Sequence, residues 1–285
     1  MDATDLDVLS LGMMMGEAAP PRAGLTLGDA GGLTLFPSGS ATIFAIALAK
    51  LGSRVGIVSR VGDDDLGHWM RGEVERAGID AAGVAAVGGQ LTPLALASVD
   101  EAGRKRFAYY RFAGRCDPLA TLRAADVPDA LLRRARVFDI GEASLRNPDL
   151  RSEALALMRR AREFSLAICY APNYRESAWA GGAAEAAAAQ RTAVALADIA
   201  LMNLEEARLI AGTPSVDAAE AARAIVALGP AVVAVTDGAA GAIVATPEQV
   251  ARVPAIPVSV VFDIGAGDAF HAGFLAAWRP GADPL

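Results

Sequence analysis

The sequence is poor in the residues that build metal sites and disulfide frameworks. Its 285 residues include two cysteines, Cys116 and Cys169, and two histidines, His68 and His271, with no CxxC pair. Structural zinc sites usually take four Cys or His ligands, and small secreted folds are held by several disulfides. We therefore expect no zinc site, no disulfide scaffold, and a reducing, cytoplasmic setting.

The sequence also lacks an excess of positive charge and long apolar runs. It has 26 Lys and Arg against 33 Asp and Glu, a net charge of -7, and an isoelectric point near 5.0. Nucleic-acid and anionic-membrane partners want a basic face, so neither is expected, although a local basic pocket could still bind an anionic substrate. The start, "MDATDLDVLSLG", lacks the pattern of a signal peptide, and no apolar run is long enough for a transmembrane helix.

What the sequence does have is material for a large core, with 53% hydrophobic residues. Short apolar stretches indicate strands at 7–13, 55–62, 135–141, 166–172, 198–203 and 231–238. They alternate with helical stretches at 41–52, 65–78, 149–163, 183–197, 204–211 and 217–228. This alternation predicts an α/β fold with a mostly parallel central sheet and helices on both faces.

Two regions break the alternation. Residues 20–38 are rich in Gly and Pro, and residues 91–113 read as a β-hairpin around the turn "DEAG". Neither fits a strand–helix–strand unit. We expect them to form a small β-sheet attached to the main sheet, a candidate lid.

The segment "VVFDIGAGDAFHAGFLAAW", residues 260–278, carries the most specific chemistry. A strand-like run at 258–262 precedes Gly265, Gly267 and Asp268, and helical spacing follows. Unpaired N–H groups at a helix N-terminus make an anion site, and Asp268 in the first turn is placed to accept a proton. The chain has no GK pair for a Walker loop and no third glycine for GxGxxG. An ordinary strand-to-helix turn stays open as the alternative.

Five weaker motifs lie in or directly after other predicted strands. "TDGAAG" (236–241) suits either a nucleotide turn or a hairpin, and "MNLEEA" (202–207) suits a helix cap by Asn203 and Glu206. "VGDDDLG" (61–67) is more typical of capping than of a metal site. "FAYYRFAGR" puts Tyr109 and Arg111 on one strand face, and "APNYR" puts Arg175 just past a strand end. Guanidinium groups there suit a carboxylated ligand, or else simply a solvated hairpin face.

In this order the motifs "PSGSATIFAIALAKLG", "VGDDDLG", "NYR", "NLEEA", "TDGAAG" and "DIGAGDAFHAG" resemble the ribokinase-like (PfkB) carbohydrate kinases over nearly the whole chain. "YYR" with "NYR" looks most like 2-keto-3-deoxygluconate kinases, and "FPSGSATIF" also resembles tagatose- and fructose-type sugar kinases. The resemblance implies one ribokinase-like domain over 1–285, with lid elements at about 17–38 and 91–113 inserted in it.

The resemblance also implies transfer of the ATP γ-phosphoryl group to a sugar or sugar-acid hydroxyl, most favourably that of 2-keto-3-deoxygluconate. Asp268 is the implied general base, and the backbone N–H groups of Gly265, Ala266 and Gly267 stabilise the transferring phosphoryl group. The implied cofactors are ATP and Mg²⁺, with a monovalent cation allowed, and a homodimer through the lid is expected.

The remaining implied contacts fall into two sets. The nucleotide side comprises Asn203, Glu206, Thr236, Gly238 and Gly241, and Glu206 would reach Mg²⁺ through water. The sugar side comprises Glu17, Gly39, Tyr109, Arg111 and Arg175.

Several positions depart from the family pattern. Ile43 replaces its usual asparagine, Ala171 its usual aspartate, and Phe262 and Asp263 its usual Asp-Thr, while "GM" at 12–13 replaces "GE". The family also implies further helices for the adenine site after this motif, whereas the sequence ends at "GADPL". Alternative functions are therefore a fructose- or tagatose-type kinase, a nucleoside kinase, or a weakly active sugar-binding protein on the same scaffold.

Overall fold

The strands and helices follow the alternation that the sequence predicts. The computed structural model describes residues 4–22, 24–25, 27–28, 30–100, 105–110, 115–259 and 265–278. The strands are β1 Leu6–Leu11, β2 Met15–Ala19, β3 Thr34–Ser38, β4 Val55–Gly62, β5 Asp80–Val87, β6 Leu94–Val99, β7 Lys105–Tyr110, β8 Ala135–Gly141, β9 Ala167–Ala171, β10 Ile199–Asn203, β11 Val232–Thr236, β12 Ala242–Ala245 and β13 Val250–Val253. The helices are α1 Ser40–Lys50, α2 Asp65–Arg76, α3 Asp129–Leu132, α4 Pro148–Glu163, α5 Gly182–Leu196, α6 Leu204–Ala211, α7 Ala218–Val226 and α8 Ala266–Ala277.

Two sheets are present in the described part of the chain. The larger has the order β13-β12-β11-β10-β9-β8-β1-β4-β5. Seven neighbouring strands of this sheet are parallel, in the spatial order β5-β4-β1-β8-β9-β10-β11, and β12 and β13 add an antiparallel edge. The smaller has the order β3-β2-β6-β7. The predicted fold class, a mostly parallel sheet with helices on both faces and a small second sheet, is confirmed.

Side chains alternate between the two faces of the large sheet, because successive residues of a strand point in opposite directions. On β9, for example, Ile168 and Tyr170 enter one core cluster while Cys169 enters the other. The first cluster contains the inner faces of α3 to α7. The second contains those of α1, α2 and α8, so these three helices share one face of the sheet.

Capping residues define where several helices begin. The Asp64 carboxylate accepts a hydrogen bond from the Gly67 N–H at 2.7 Å, which starts α2 and supports the capping interpretation of "VGDDDLG". Asn147 and Asp217 cap α4 and α7 in the same way. Each cap gives a partner to an N–H group that has none within the helix.

The structure differs from the sequence prediction in several elements, including the short helix α3, which was not predicted. It adds β5, an edge strand whose Ala- and Gly-rich sequence carries little strand signal, and the short hairpin of β12 and β13. Of the strand predicted at 258–262, residues 258 and 259 belong to no strand, and Val258 is 74% exposed. Residues 260–262 lie outside the described residues. In the described ranges, no helix combines the length and the hydrophobicity that a membrane span requires.

Candidate active site

Three of the predicted site residues lie at the carboxyl edge of the parallel strands. Asn203 and Thr236 are register partners at the ends of the neighbouring strands β10 and β11. Arg175 follows the end of β9, the next strand across the sheet. Ligands of open parallel sheets bind at this edge, since the loops that leave the strands meet there.

A three-residue segment joins two acidic side chains that the sequence places 251 positions apart. The Ser38 hydroxyl donates to Glu17 Oε2 at 3.0 Å, and the Ser40 hydroxyl donates to Asp268 Oδ1. Gly39 lies between the two serines with φ at 93°, and a Cβ there would meet the Met13 carbonyl oxygen at 2.3 Å. Only glycine fits this bend. Glu17, Gly39 and Asp268, which the sequence assigned separately, are therefore brought together.

Asp268 is a buried carboxyl group at the start of α8, with 9% of its surface exposed. Burial raises its pKa above the ordinary value, while the Ser40 hydrogen bond and the charges of His271 and Arg175 lower it. The nearby Asp139 raises it further. The net direction is upward, so Asp268 holds a proton more readily than an exposed aspartate does. That is the adjustment a general base requires.

The glycine corner beside Asp268 forms the N-terminus of α8. Gly265 is the N-cap in the left-handed region, with φ at 77°. Ala266 and Gly267 are exposed, and Asp268 behind them is buried. The first N–H groups of the helix and the positive end of its dipole therefore face solvent next to a carboxylate. This is the backbone geometry that the predicted anion site requires.

Asn203 and Glu206 form the capping box that the sequence allowed. The Asn203 amide oxygen accepts from the Glu206 N–H, and Glu206 Oε2 accepts from the Asn203 N–H, both at 2.9 Å. Glu206 Oε1 accepts the Tyr174 N–H at 2.7 Å, although Tyr174 lies in a different loop. Buried Glu206 thus ties the start of α6 to the loop that carries Arg175.

The segment "TDGAAG" closes the hairpin between β11 and β12. Its N–H groups bond within the turn: Asp237 to the Gly241 carbonyl at 2.8 Å and Gly241 to the Gly238 carbonyl at 3.1 Å. Gly238 is exposed beside Thr236, at the same sheet edge as Asn203. A hairpin turn is therefore present where the family motif has its nucleotide turn.

Two sugar-side predictions fall on the small sheet. Register aligns Glu17 with Ala95 and Ala95 with Tyr109, so Glu17 and Tyr109 share one face. Tyr109 is 53% exposed and stacks on Phe107 with ring centroids 5.8 Å apart. Arg111 lies outside the described residues, as do Phe262 and Asp263.

The chain matches one enzyme family over nearly its whole length. The model of the pfkB family carbohydrate kinases matches residues 5–284. The chain belongs to the pfkB carbohydrate kinase family. The kinase is thus a phosphotransferase with a sugar hydroxyl as acceptor, as the sequence predicted.

The relatives of the kinase include plant fructokinases. It is 31% identical over 276 residues to fructokinase-2 of Zea mays, an alignment that covers 94% of this chain and 78% of that protein. Its alignment with probable fructokinase-3 of Arabidopsis thaliana is 32% identical and covers 60% of this chain, and the chain spans about half the length of that relative, 49%.

Several solved structures have the same fold as this chain. A PfkB protein from Polaromonas sp. JS666 superposes with a TM-score of 0.82 and 28% identity, covering 95% of this chain and 88% of that one. A fructokinase double mutant from Vibrio cholerae O395, in a form with fructose, ADP and potassium bound, gives a TM-score of 0.81 and 26% identity, with 95% and 83% covered.

Sequence reasoning missed the polar side chains that hold the kinase's acidic groups. Ser38 and Ser40 flank the one predicted glycine of that segment, and their pairing with Glu17 and Asp268 depends on contacts far apart in sequence. The only available signal was the polar "SGS" directly before an apolar helix. Ile43, a departure from the family pattern, packs at the glycine corner: its Cγ2 would lie 3.1 Å from a Cβ on Gly265.

Proposed function

We propose that the kinase transfers the γ-phosphoryl group of ATP to a hydroxyl of a six-carbon keto sugar, with Asp268 as the general base. The observation that carries the proposal is a buried carboxylate of raised pKa beside the exposed N-terminus of α8. The carboxylate can take the proton of the sugar hydroxyl. The helix N-terminus can stabilise the negative charge of the phosphoryl group that the hydroxyl oxygen attacks.

The proposed step follows from this pairing. Ser40 engages Oδ1 of Asp268, so we expect the sugar hydroxyl to give its proton to Oδ2. The sugar oxygen bonds to the γ-phosphorus while the bond from that phosphorus to the β–γ bridging oxygen breaks. The N–H groups of the glycine corner, Gly265 to Gly267, stabilise the negative charge on the transferring group.

The nucleotide side offers a fitting place for a magnesium ion. Glu206 is buried, and each of its carboxylate oxygens accepts one backbone N–H. Mg²⁺ is bound in proteins through carboxylates and keeps several of its waters, so Glu206 would act on a hydrated ion from this position. When bound, the ion neutralises phosphate charge. Asn203, Thr236 and the turn with Gly238 and Gly241 would hold the nucleotide.

We favour fructose as the substrate, because the aligned plant proteins and the Vibrio cholerae structure are named fructokinases. The second candidate is the sugar acid 2-keto-3-deoxygluconate. Arg175 supports it, since its positive charge acts on Asp268 and is therefore near the reacting centre. A guanidinium group there can pair with a substrate carboxylate.

A panel assay distinguishes these substrates. Purified kinase with Mg-ATP would be tested for ADP release with fructose, 2-keto-3-deoxygluconate, tagatose, ribose and adenosine. We expect the largest kcat/KM with fructose, and Asp268→Asn serves as the inactive control. A preference for 2-keto-3-deoxygluconate that Arg175→Ala abolishes through KM would establish the second candidate. No turnover with any acceptor, despite sugar binding in calorimetry, would overturn the kinase assignment of this chain.

We also propose that two copies associate through the small sheet. That sheet exposes an unusual number of large apolar side chains, each between 37% and 53% accessible: Leu35, Phe36, Phe107, Tyr109 and Tyr110. The strand register puts Phe36, Phe107 and Tyr109 on one face of that sheet, and an exposed apolar face marks an association site. Sedimentation of Phe36→Ser should show a weakened dimer, while Leu51→Ser, which alters an exposed leucine outside the sheet, should not. A wild-type monomer at all concentrations would rule the proposal out.

A further inference from the structure

A buried polar cluster lies on the α8 side of the large sheet, beneath the proposed base. It consists of Ser10, Asp139, Cys169 and His271, none more than 5% exposed. The Ser10 hydroxyl donates to Asp139 Oδ2 at 2.7 Å, and His271 Nε2 lies 3.0 Å from Asp139 Oδ1. Cys169 Sγ lies 3.4 Å from the same ring nitrogen. Side chains from β1, β8, β9 and α8 therefore meet in one place.

The cluster is coupled to the base through two helices. His271 follows Asp268 by three residues in α8, so the two side chains are neighbours on the helix surface. The His271 ring also stacks on Phe44 of α1, with centroids 4.0 Å apart. Helix α1 begins with Ser40, the hydroxyl that binds Asp268. His271 thus contacts both helices that hold the base.

The distance between Asp139 and His271 favours an ion pair over a shared metal ion. Two ligands bound to a tetrahedral zinc ion lie roughly 3.3 Å apart, whereas Asp139 and His271 approach to 3.0 Å. Burial raises the pKa of the Cys169 thiol, and the charge of Asp139 raises it further. The sulfur therefore keeps its proton and adds no negative charge to that of Asp139.

Charge balance identifies the partner of Asp139 in this cluster. A buried carboxylate needs a cationic partner, and His271 is the basic side chain in contact with Asp139. Of these two charges, that of His271 has the larger effect on the pKa of Asp268, which it lowers, and that of Asp139 raises the pKa.

We propose that the Asp139–His271 pair is a positioning device for the base: it fixes the first turns of α8 on the sheet and presents a positive charge to Asp268. The inference rests on the proposed function, because it assigns a role relative to Asp268. Among the described residues, the other polar or charged groups that bear on this environment are Cys169 from β9, Ser10 from β1, Ser40 from α1, Arg175 after β9, and Asp198, whose charge acts on Cys169.

The test is the pH dependence of kcat/KM for the preferred sugar at saturating Mg-ATP. His271→Gln keeps an amide N–H but removes the charge, and leaves Asp139 without its cation. We expect the acidic limb of the profile to move to higher pH by about one unit. At a pH below the acidic limbs of both the wild type and the variant, this shift is a tenfold loss of activity. The double variant Asp139→Asn with His271→Gln removes both charges, so its limb should lie between those of His271→Gln and wild type.

This ordering separates the charge effect from mere loss of packing, which would make the double variant as impaired as His271→Gln or worse. Cys169→Ser is the matched control in the same cluster and should leave the limb in place. An unshifted limb in His271→Gln, with Asp268→Asn inactive, would overturn this inference alone. Activity retained in Asp268→Asn would instead overturn the proposed base.

Two measurements on the wild-type protein keep the inference testable if a variant fails to fold. The chain has two histidines, and His68 is exposed, so nitrogen NMR of labelled histidine resolves His271 against an internal reference. We expect a doubly protonated His271 ring at pH 5, and a neutral ring there would overturn the proposal. Elemental analysis that finds one bound zinc per chain, lost in His271→Gln, would overturn it in favour of a metal site.

Discussion

Replacing Ser40 by alanine removes one hydrogen-bond donor from the Asp268 carboxylate without touching the carboxylate itself. The Ser40 hydroxyl binds Oδ1 and stabilises the ionised form over the protonated one, so it lowers the pKa of Asp268. Its loss should raise that pKa further. At any acidic pH a smaller fraction of the enzyme would then carry an ionised base.

The expected size of the effect follows from the energy of such a bond. A hydrogen bond to a charged group contributes about 1.5–3 kcal/mol, and about 1.4 kcal/mol corresponds to one pH unit. Asp268 is 9% exposed, so water can replace the lost hydroxyl only in part. We expect the acidic limb of kcat/KM to move up by about one pH unit, while kcat on the plateau changes little.

The assay is coupled ADP release between pH 5 and 8 at saturating Mg-ATP, with the sugar varied. Ser40→Thr is the matched control, because threonine keeps the hydroxyl at the first position of α1. Its profile should follow that of the wild type. If the limbs of Ser40→Ala and Ser40→Thr coincide, the hydroxyl does not set the ionisation of the base and the reasoning is refuted.

Three further variants test separate parts of the structure. Asp268→Asn should lower kcat by roughly 10³-fold. The folded-state pKa of Asp268 is raised above 3.8, so the free energy of unfolding of the wild type should fall as the pH rises from 3.8 through that pKa. Urea unfolding should therefore show the stability of the Asn variant increasing relative to that of the wild type over the same pH range. Gly265→Ala puts a Cβ at φ 77°, 3.1 Å from Ile43 Cγ2, and should cost about 1–2 kcal/mol in calorimetry and lower kcat. Asp64→Ala removes a helix cap and two bonds to Thr92, one at 2.8 Å and one at 2.7 Å, and should lower the free energy of unfolding by roughly 2 kcal/mol with kcat unchanged. An Asp64→Ala enzyme that is fully stable, or catalytically impaired, would contradict the structural role given to that cap.

The fold was largely predictable because its signals are local. The parallel strands are short apolar runs, and β4 at Val55–Gly62 and β8 at Ala135–Gly141 occur where the sequence placed them. The strand β5 was not predicted, because its Ala- and Gly-rich sequence does not show a recognisable alternation of apolar and polar residues. The hairpin of β12 and β13 escaped for a related reason, since strands of four residues give too short a pattern to read.

The site was predictable only as far as sequence motifs carry it. Asp268 and the glycine corner form one contiguous motif with its own physical logic. Their partners do not: Ser40 is 228 residues from Asp268, and Asp139 and His271 belong to different elements that only the sheet and α8 bring together. Pairings of this kind depend on tertiary packing, which no local periodicity encodes.

For Glu206, the capping and the functional interpretations are not alternatives. A long carboxylate side chain loses much conformational freedom when it is held in one place. Here two backbone N–H groups, of Asn203 and Tyr174, fix both oxygens of Glu206. The carboxylate is therefore already oriented before any water or ion binds to it, and its position is set jointly by α6 and the Arg175 loop. The capping box is the means by which a flexible acid becomes a fixed one, so its presence strengthens the assignment of Glu206 to the phosphate side of the site.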